Sequence, residues 1–408
     1  MPDLASATTV TAAVPLPRDR PCPFAPPDGY RELRERSPVS RLQLADGTVG
    51  WLLTRDEDVR AMLVDPRMSA QNRTLTSHVR VLTPDLVARS IRRASLLSMD
   101  APEHSRQRRL LTVSFTARRM RRLTPWIERV VEEHLDAMIS RGSPADLVPA
   151  FALPIPSLVI CELLGVPYAE RAEFQDRAHT LVSVGIPPAE SVRAGEELEG
   201  YLGQLLLRKR AEPADDLLSE LARPDGRAGG LPDGELARLS TLLLIAGHET
   251  TANMIGLGAL MLLEHPARYA ALRDGPAVVE RTVEELLRYL SVVHLGVTRQ
   301  ATEELTIGGQ RISAGELVVG SLAAANHDPE RFAEPAELDP DRVRVPHLAF
   351  GYGAHQCLGQ QLARVELAAA FGGLARRLPG LRLAVPAEQV PLRHEMLIYG
   401  VDELPVAW

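Results

Sequence analysis

Apolar residues recur along this chain with two different periods, and the change of period divides it. Near the start, "DGYRELRERS" has helical spacing and predicts a short helix. "VSRLQL" and "GWLLT" flank "ADGT"; an Asp-Gly pair between apolar runs predicts a hairpin. "RDEDVRAMLVDP" predicts a helix that stops before Pro66. Positions 67–98 carry little periodicity. From about 100 to 290, long amphipathic runs broken by Pro and Gly predict helices, with "GRAGGLPDG" (226–234) separating two of them. Residues 233–266 are apolar nearly all round and predict one long, buried, central helix. After 291 the text turns strand-like in "HLGVTRQA", "LTIGG" and "RISAGELVV". A proline-rich stretch (328–347) then leads to a glycine-rich turn, a helix from about 358 to 377, and a short β-like tail.

A chain of 408 residues would by default hold two domains. However, no repeat and no shift of composition marks a linker. The pattern therefore predicts a mainly α fold with small β-sheets (α+β): one large helical domain over 23–408 with a minor β-rich region. A proline-rich, mobile arm over 1–22 precedes it.

Composition adds exclusions. At 45% hydrophobic and 24% charged the chain reads as an ordinary globular protein. No apolar run reaches membrane-spanning length and the first residues lack a secretory pattern, so the expectation is a cytoplasmic protein with no membrane partner. The net charge of −7 argues against nucleic acid. Three cysteines, an odd and sparse set, fit a reducing compartment. Cys161 in "PSLVICELLG" reads as a core residue, and Cys22 in the arm has no companion ligand.

Cys357 is different. It ends the turn "FGYGAHQCLG" (350–359), where Gly351, Gly353 and Gly359 permit tight turns or close approach. A helix pattern follows at once. A sulfur at a helix N-terminus faces unpaired N–H groups and the positive end of the dipole, which favour thiolate. A nucleophile would want His355 as its base, but residues two apart on a tight turn rarely face each other. Zinc would need further ligands. An axial thiolate to haem iron needs one sulfur only.

A second interruption lies in the long helix. In "LLLIAGHETTANM" (242–254), Gly247, His248, Glu249, Thr250 and Thr251 break an otherwise apolar surface. Burying them is costly unless they are satisfied. The Thr250 hydroxyl is placed to bond back to the carbonyl of Ala246. With Gly247 weakening the helix, a small groove for oxygen and water is expected here.

Phe350, Gly351, Gly353, His355, Cys357 and Gly359 resemble the haem-binding signature of the cytochrome P450 family, haem-thiolate monooxygenases. The resemblance spans about Pro23 to Trp408 and is nearest to soluble actinobacterial members that tailor secondary metabolites. It implies the cytochrome P450 fold and haem b (iron protoporphyrin IX) on the Cys357 thiolate, so that iron is held at Cys357. Ala246 to Thr250 resemble the family's oxygen-binding segment, which implies Glu249 and Thr250 as a catalytic proton-relay pair and dioxygen as the oxidant. His104 and Arg108, at i and i+4 in "MDAPEHSRQRRL", match propionate-binding positions, as do Arg299 and His355. Glu285 and Arg288 match a structural ion-pair motif. Its downstream arginine is expected to be Arg342 in "LDPDR" rather than Arg331 in "PERF".

The resemblance also implies a substrate and electron donors. Pocket walls fall on Leu86, Val87, Val182, Leu243, Ala246, Leu295, Val297 and Ile398, an apolar set that implies a lipophilic small molecule. The chain has no flavin or nicotinamide motif, so electrons come from outside, from ferredoxin and ferredoxin reductase. Arg118, Arg119, Arg121 and Arg122 in "TARRMRRL" are a candidate face for such an acidic carrier. Hydroxylation or epoxidation is the leading outcome. Phenol coupling or rearrangement at the same haem, and a haem sensor without turnover, are the alternatives. A cysteine hydrolase using Cys357 and His355 would be colourless.

Overall fold

The computed structural model describes residues 12–71, 78–79, 81, 83, 95–223 and 231–408. The helices among them are α1 (Asp28–Arg36), α2 (Asp56–Val64), α3 (Glu103–Thr112), α4 (Ala117–Arg141), α5 (Pro154–Leu164), α6 (Arg171–Val182) and α7 (Pro188–Ala211). They continue with α8 (Leu217–Ala222), α9 (Asp233–Leu263), α10 (Pro266–Ala271), α11 (Pro276–Leu290), α12 (Leu322–Ala325) and α13 (Gln360–Arg377). The strands are β1 (Val39–Gln43), β2 (Val49–Leu53), β3 (Met68–Ser69), β4 (Ala145–Asp146) and β5 (Val297–Ala301), then β6 (Leu305–Ile307), β7 (Gln310–Ile312), β8 (Leu317–Gly320), β9 (Arg382–Leu383) and β10 (Pro405–Ala407). The mainly α fold with small sheets is therefore present.

The 31-residue α9 is the axle. Its buried positions run right around the helix, as an all-round apolar sequence requires. It ends at Leu263 rather than 266, because Pro266 opens α10. One side of α9 shares a core with α4, α11 and α13. The other packs among α5, α7 and α8. The expected hairpin is β1–β2, antiparallel with Val39 opposite Leu53. It extends into a five-stranded sheet, order β1-β2-β8-β5-β3, in which β2 and β8 run parallel. This sheet with α2 and α12 forms a separate apolar cluster.

Of the arm expected over 1–22, residues 1–11 lie outside the described residues. Residues 12–22 are docked. Val14 bridges Leu42, its N–H donating to Arg41 O at 2.9 Å. The Arg20 guanidinium lies 4.2 Å from the Tyr399 ring centre. Proline content reported the extended backbone correctly, and an extended backbone can still add to a sheet edge. No helix among the described residues is long and apolar enough to cross a membrane.

Candidate active site

Cys357 sits between a one-turn 3-10 helix, Gly353–His355, and the start of α13, whose N-cap is Gly359. Its N–H donates to Phe350 O at 2.8 Å, and Gly351 N–H to Leu348 O at 2.8 Å, which folds the turn back on itself. Gly353 has φ 73°, and a Cβ there would meet Leu63 O of α2 at 2.9 Å, so no other residue fits without moving α2. Cys357 keeps accessible surface, yet the sulfur lies deep in the protein. That depth pushes its thiol up. The N–H groups of Gly359 and Gln360 and the charges of Arg108 and Arg364 pull the other way. The helix start and the two arginines thus act in the direction expected of a thiolate, and a bound metal deprotonates such a thiol outright. Cys161 is 2% exposed among apolar side chains, and burial drives its thiol to about 12.

His104, Arg108, Arg299 and His355 come together beside this turn. The His104 and His355 rings lie 4.0 Å apart, centre to centre. Arg108 Nη2 donates to Gln356 O at 2.6 Å, across to the cysteine turn. Arg299 is buried on β5. Burial lowers the His355 pKa to about 4, with further lowering by Arg299 and His104. Burial, then Arg108, lowers that of His104. The nearby carboxylate, Asp100, is already engaged by Ser69 Oγ and by the Ala70 N–H at 2.8 Å. The His104 Nε2 is buried without a partner among the described residues. Donors crowded together, one of them orphaned, fit a dianionic group seated next to a sulfur, as haem with its two propionates is.

On α9, Ala246 is exposed and Thr250 half-buried, although most of the helix around them is buried. Thr250 Oγ1 donates to Ala246 O at 2.8 Å, the back-bond read from the sequence. The helix nevertheless runs unbroken through 247–251. Gly247 serves packing instead of weakening: a Cβ there would lie 2.7 Å from Ile160 Cδ1 of α5. Glu249 points elsewhere. It is 3% exposed and held by Arg393, Nη1 to Oε2 at 3.3 Å, with no bond to Thr250 among the described residues.

Of the expected pocket walls, Leu243 shares the Ala246 and Thr250 face of α9 by helical spacing. Val182 and Leu295 are buried, and Val297 and Ile398 half-buried. Leu86 and Val87 lie outside the described residues. The ion-pair motif is buried: Arg288 Nη2 meets Glu285 Oε1 at 2.7 Å and Nε meets Oε2 at 2.9 Å. Arg342 Nε reaches Glu285 Oε1 at 3.3 Å, whereas Arg331 lies 3.7 Å from Asp56. Arg393, with Asn253 and His179 around it, was not anticipated. An arginine in the otherwise largely apolar tail stretch "PLRHEMLIYG", which also carries His394 and Glu395, was the available signal, since such a cation must find a partner once buried.

Residues 277–395 match the family model for cytochrome P450. Cytochrome P450 105C1 of a Streptomyces species is 51% identical, over 94% of this chain and 96% of its own length. The chain belongs to the cytochrome P450 family. It is thus an O2-dependent haem-thiolate oxidoreductase that binds haem b through an axial cysteine thiolate. Among P450 relatives from Streptomyces avermitilis, pentalenic acid synthase is 48% identical over 98% of this chain and 99% of its own. The crystal structure of CYP105P1 in complex with filipin I has 47% identity and a TM-score of 0.90, covering 97% of this chain and 99% of that one.

Proposed function

We propose that this P450 inserts one oxygen atom from O2 into a lipophilic natural product, by hydroxylation or epoxidation, with electrons from ferredoxin and ferredoxin reductase. The observation that carries this reading is the convergence of four donors, one orphaned, beside a lone cysteine at a helix start. Cys357 would hold the iron, with Phe350, Gly351 and Gly359 shaping the turn around the sulfur. His104, Arg108, Arg299 and His355 would hold the propionates. Bound haem supplies the activation of dioxygen. The chain supplies the proton path. The Thr250 hydroxyl donates its hydrogen bond to Ala246 O, so its oxygen lone pairs are left to accept one. Glu249, paired with Arg393 in this structure, is the adjacent carboxylate that would relay protons through water once it turns from Arg393 toward Thr250. The apolar faces of Leu243, Leu295 and Val297 exclude bulk water and favour a lipophilic ligand. Relatives named for pentalenic acid and vitamin D3, and a solved relative holding filipin I, support a natural product as substrate.

A ligand screen by shift of the haem spectrum, then turnover with ferredoxin, reductase and NADPH under 18O2, tests this. Each product molecule is expected to carry one labelled oxygen. An oxidised product without label would replace insertion by coupling or rearrangement. Ligand-independent NADPH use without product would leave a sensor.

The electron route makes its own prediction. Arg118, Arg121 and Arg122 are exposed on α4. Reversing charge at Arg118 and Arg122 is expected to slow ferredoxin-driven turnover about tenfold at low salt, the deficit shrinking as salt rises. Peroxide-driven turnover should not change. An unaltered rate that saturates at the same ferredoxin concentration would remove this face as the docking site.

A further inference from the structure

Arg364 stands one turn into α13, four residues past Gln360, and side chains on a helix lean toward its N-terminus. Its guanidinium therefore lies back along the first turn, on the side of the cysteine. Nη1 donates to Gln360 O at 3.3 Å and to Gln360 Oε1 at 3.2 Å. Its Cζ is 4.7 Å from the centre of the Phe350 ring. Arg364 is one of two cations whose charge favours the ionised Cys357 sulfur; the other is Arg108.

The two cations differ in what answers them. Arg108 meets a backbone carbonyl, Gln356 O, and no carboxylate among the described residues. Arg364 meets Glu284 of α11 in a two-pronged pair, Nε to Oε1 and Nη2 to Oε2 at 3.2 Å. His347 reaches the same carboxylate, with Nε2 3.4 Å from Oε2. Its Nδ1 accepts the Ala349 N–H at 3.2 Å, one residue before Phe350. Glu284 thus connects to the cysteine turn on both sides, through His347 before it and Arg364 after it. Burial works to raise the Glu284 carboxyl, but His347 and Arg364 bring it down to about 2, so it stays ionised near neutral pH. Arg364 is 27% exposed and Glu284 30%, and an ion pair so open to water adds little to stability. What it does set is the charge beside the sulfur.

We infer that Glu284 is a positioning residue for the thiolate: by holding and neutralising Arg364 it fixes the net charge felt at the Cys357 sulfur, and so the ease with which the bound iron is reduced. This rests on the assignment of iron to Cys357. An unanswered cation beside the sulfur draws electron density away from the iron and favours the reduced state, which carries one more electron. With the carboxylate in place that cation is cancelled. Without Arg364 the carboxylate stands alone and disfavours reduction. The two halves of one pair therefore act with opposite signs, which a general loosening of the turn would not produce.

The test is the reduction potential of the haem-loaded protein, titrated spectroscopically at low salt. Glu284→Gln is expected to favour reduced iron about fivefold, a rise of about 40 mV for one electron. Arg364→Gln should shift the equilibrium by a similar factor the other way. The double variant should return to within about twofold of wild type, because the paired charges leave together. Glu284→Asp and Arg364→Lys keep both charges and should also stay within about twofold. Rising salt should shrink both single shifts. Shifts of the same sign in Glu284→Gln and Arg364→Gln, no shift in either, or a double variant as displaced as the singles would each overturn the inference. If Arg364→Gln does not hold haem, Glu284→Gln in the Arg364→Lys background decides: the rise must persist there, since the cation remains. A wild-type protein without the far-red band of the reduced carbon monoxide complex would instead sink the Cys357 assignment. A normal band with unmoved potentials would sink this inference alone.

Discussion

Cys357→Ala is expected to abolish the far-red-shifted absorption of the reduced carbon monoxide complex and to end oxygenase turnover. Neither of the other two cysteines can substitute. Cys161 is sealed in the core between α5 and α7, its thiol pushed to about 12 by burial. Cys22 is exposed on the docked N-terminal segment. Cys357→His should keep the pigment while moving the carbon monoxide band toward that of a globin, because imidazole returns less electron density to iron than thiolate does. Cys22→Ala and Cys161→Ala should leave the band where it is. Absorption and turnover that survive Cys357→Ala would refute the assignment of iron to this residue and, with it, the roles given to His104 and Arg108.

Position in the chain revealed the cysteine turn, but not the balance of forces on its sulfur. A glycine-rich turn ahead of a helix is visible in "FGYGAHQCLG", since φ and helix start are local properties. How deep the sulfur lies depends on α2, α3 and α9, which are remote in sequence. The same division explains α9. Its all-round apolar pattern made burial legible, while the purpose of Gly247 was not, because only the packed structure shows Ile160 2.7 Å from where a Cβ would stand. Periodicity reports which face is covered, not what covers it.

Partnerships across long separations were legible only where a spaced motif carried them. Glu285 and Arg288 stand three apart, and "LDPDR" identified Arg342 as the third member over "PERF". Glu249 and Arg393, separated by 144 residues, share no motif. The acid and alcohol of α9 are adjacent in sequence, so they suggested a joint device, yet adjacent helical residues point about 100° apart. Thr250 bonds back along its own helix, and Glu249 meets the tail at Arg393. That geometry, more than the pairing of residue types, makes an anchor for Glu249 necessary.

Arg288→Ala is expected to have the largest effect on the fold, about 3–5 kcal/mol, the usual cost of leaving one member of a buried pair alone. Arg288 is 2% exposed and holds both oxygens of Glu285. It also donates to the carbonyls of Asn326 at 2.7 Å, Pro335 at 3.0 Å and Glu337 at 3.2 Å. Lysine has no planar fork to reach these acceptors, so Arg288→Lys should recover little. The damage should travel to the cysteine turn. Asn326, whose carbonyl Arg288 secures, uses its own Oδ1 to accept the Leu348 N–H at 2.6 Å. Leu348 O in turn accepts the Gly351 N–H, and Phe350 O the Cys357 N–H, both at 2.8 Å. Loss of Arg288 therefore loosens the seat of the sulfur as well as the core around α11. Purified Arg288→Ala should carry less haem per chain and unfold at lower temperature. Replacing both partners, as Glu285→Leu with Arg288→Met, should recover part of the Tm but not the haem content, because the carbonyls of Asn326 and Pro335 lose their arginine donor, while that of Glu337 keeps Arg342 Nη2 at 3.0 Å. Full haem occupancy in Arg288→Ala would show that the turn is held without this chain of bonds.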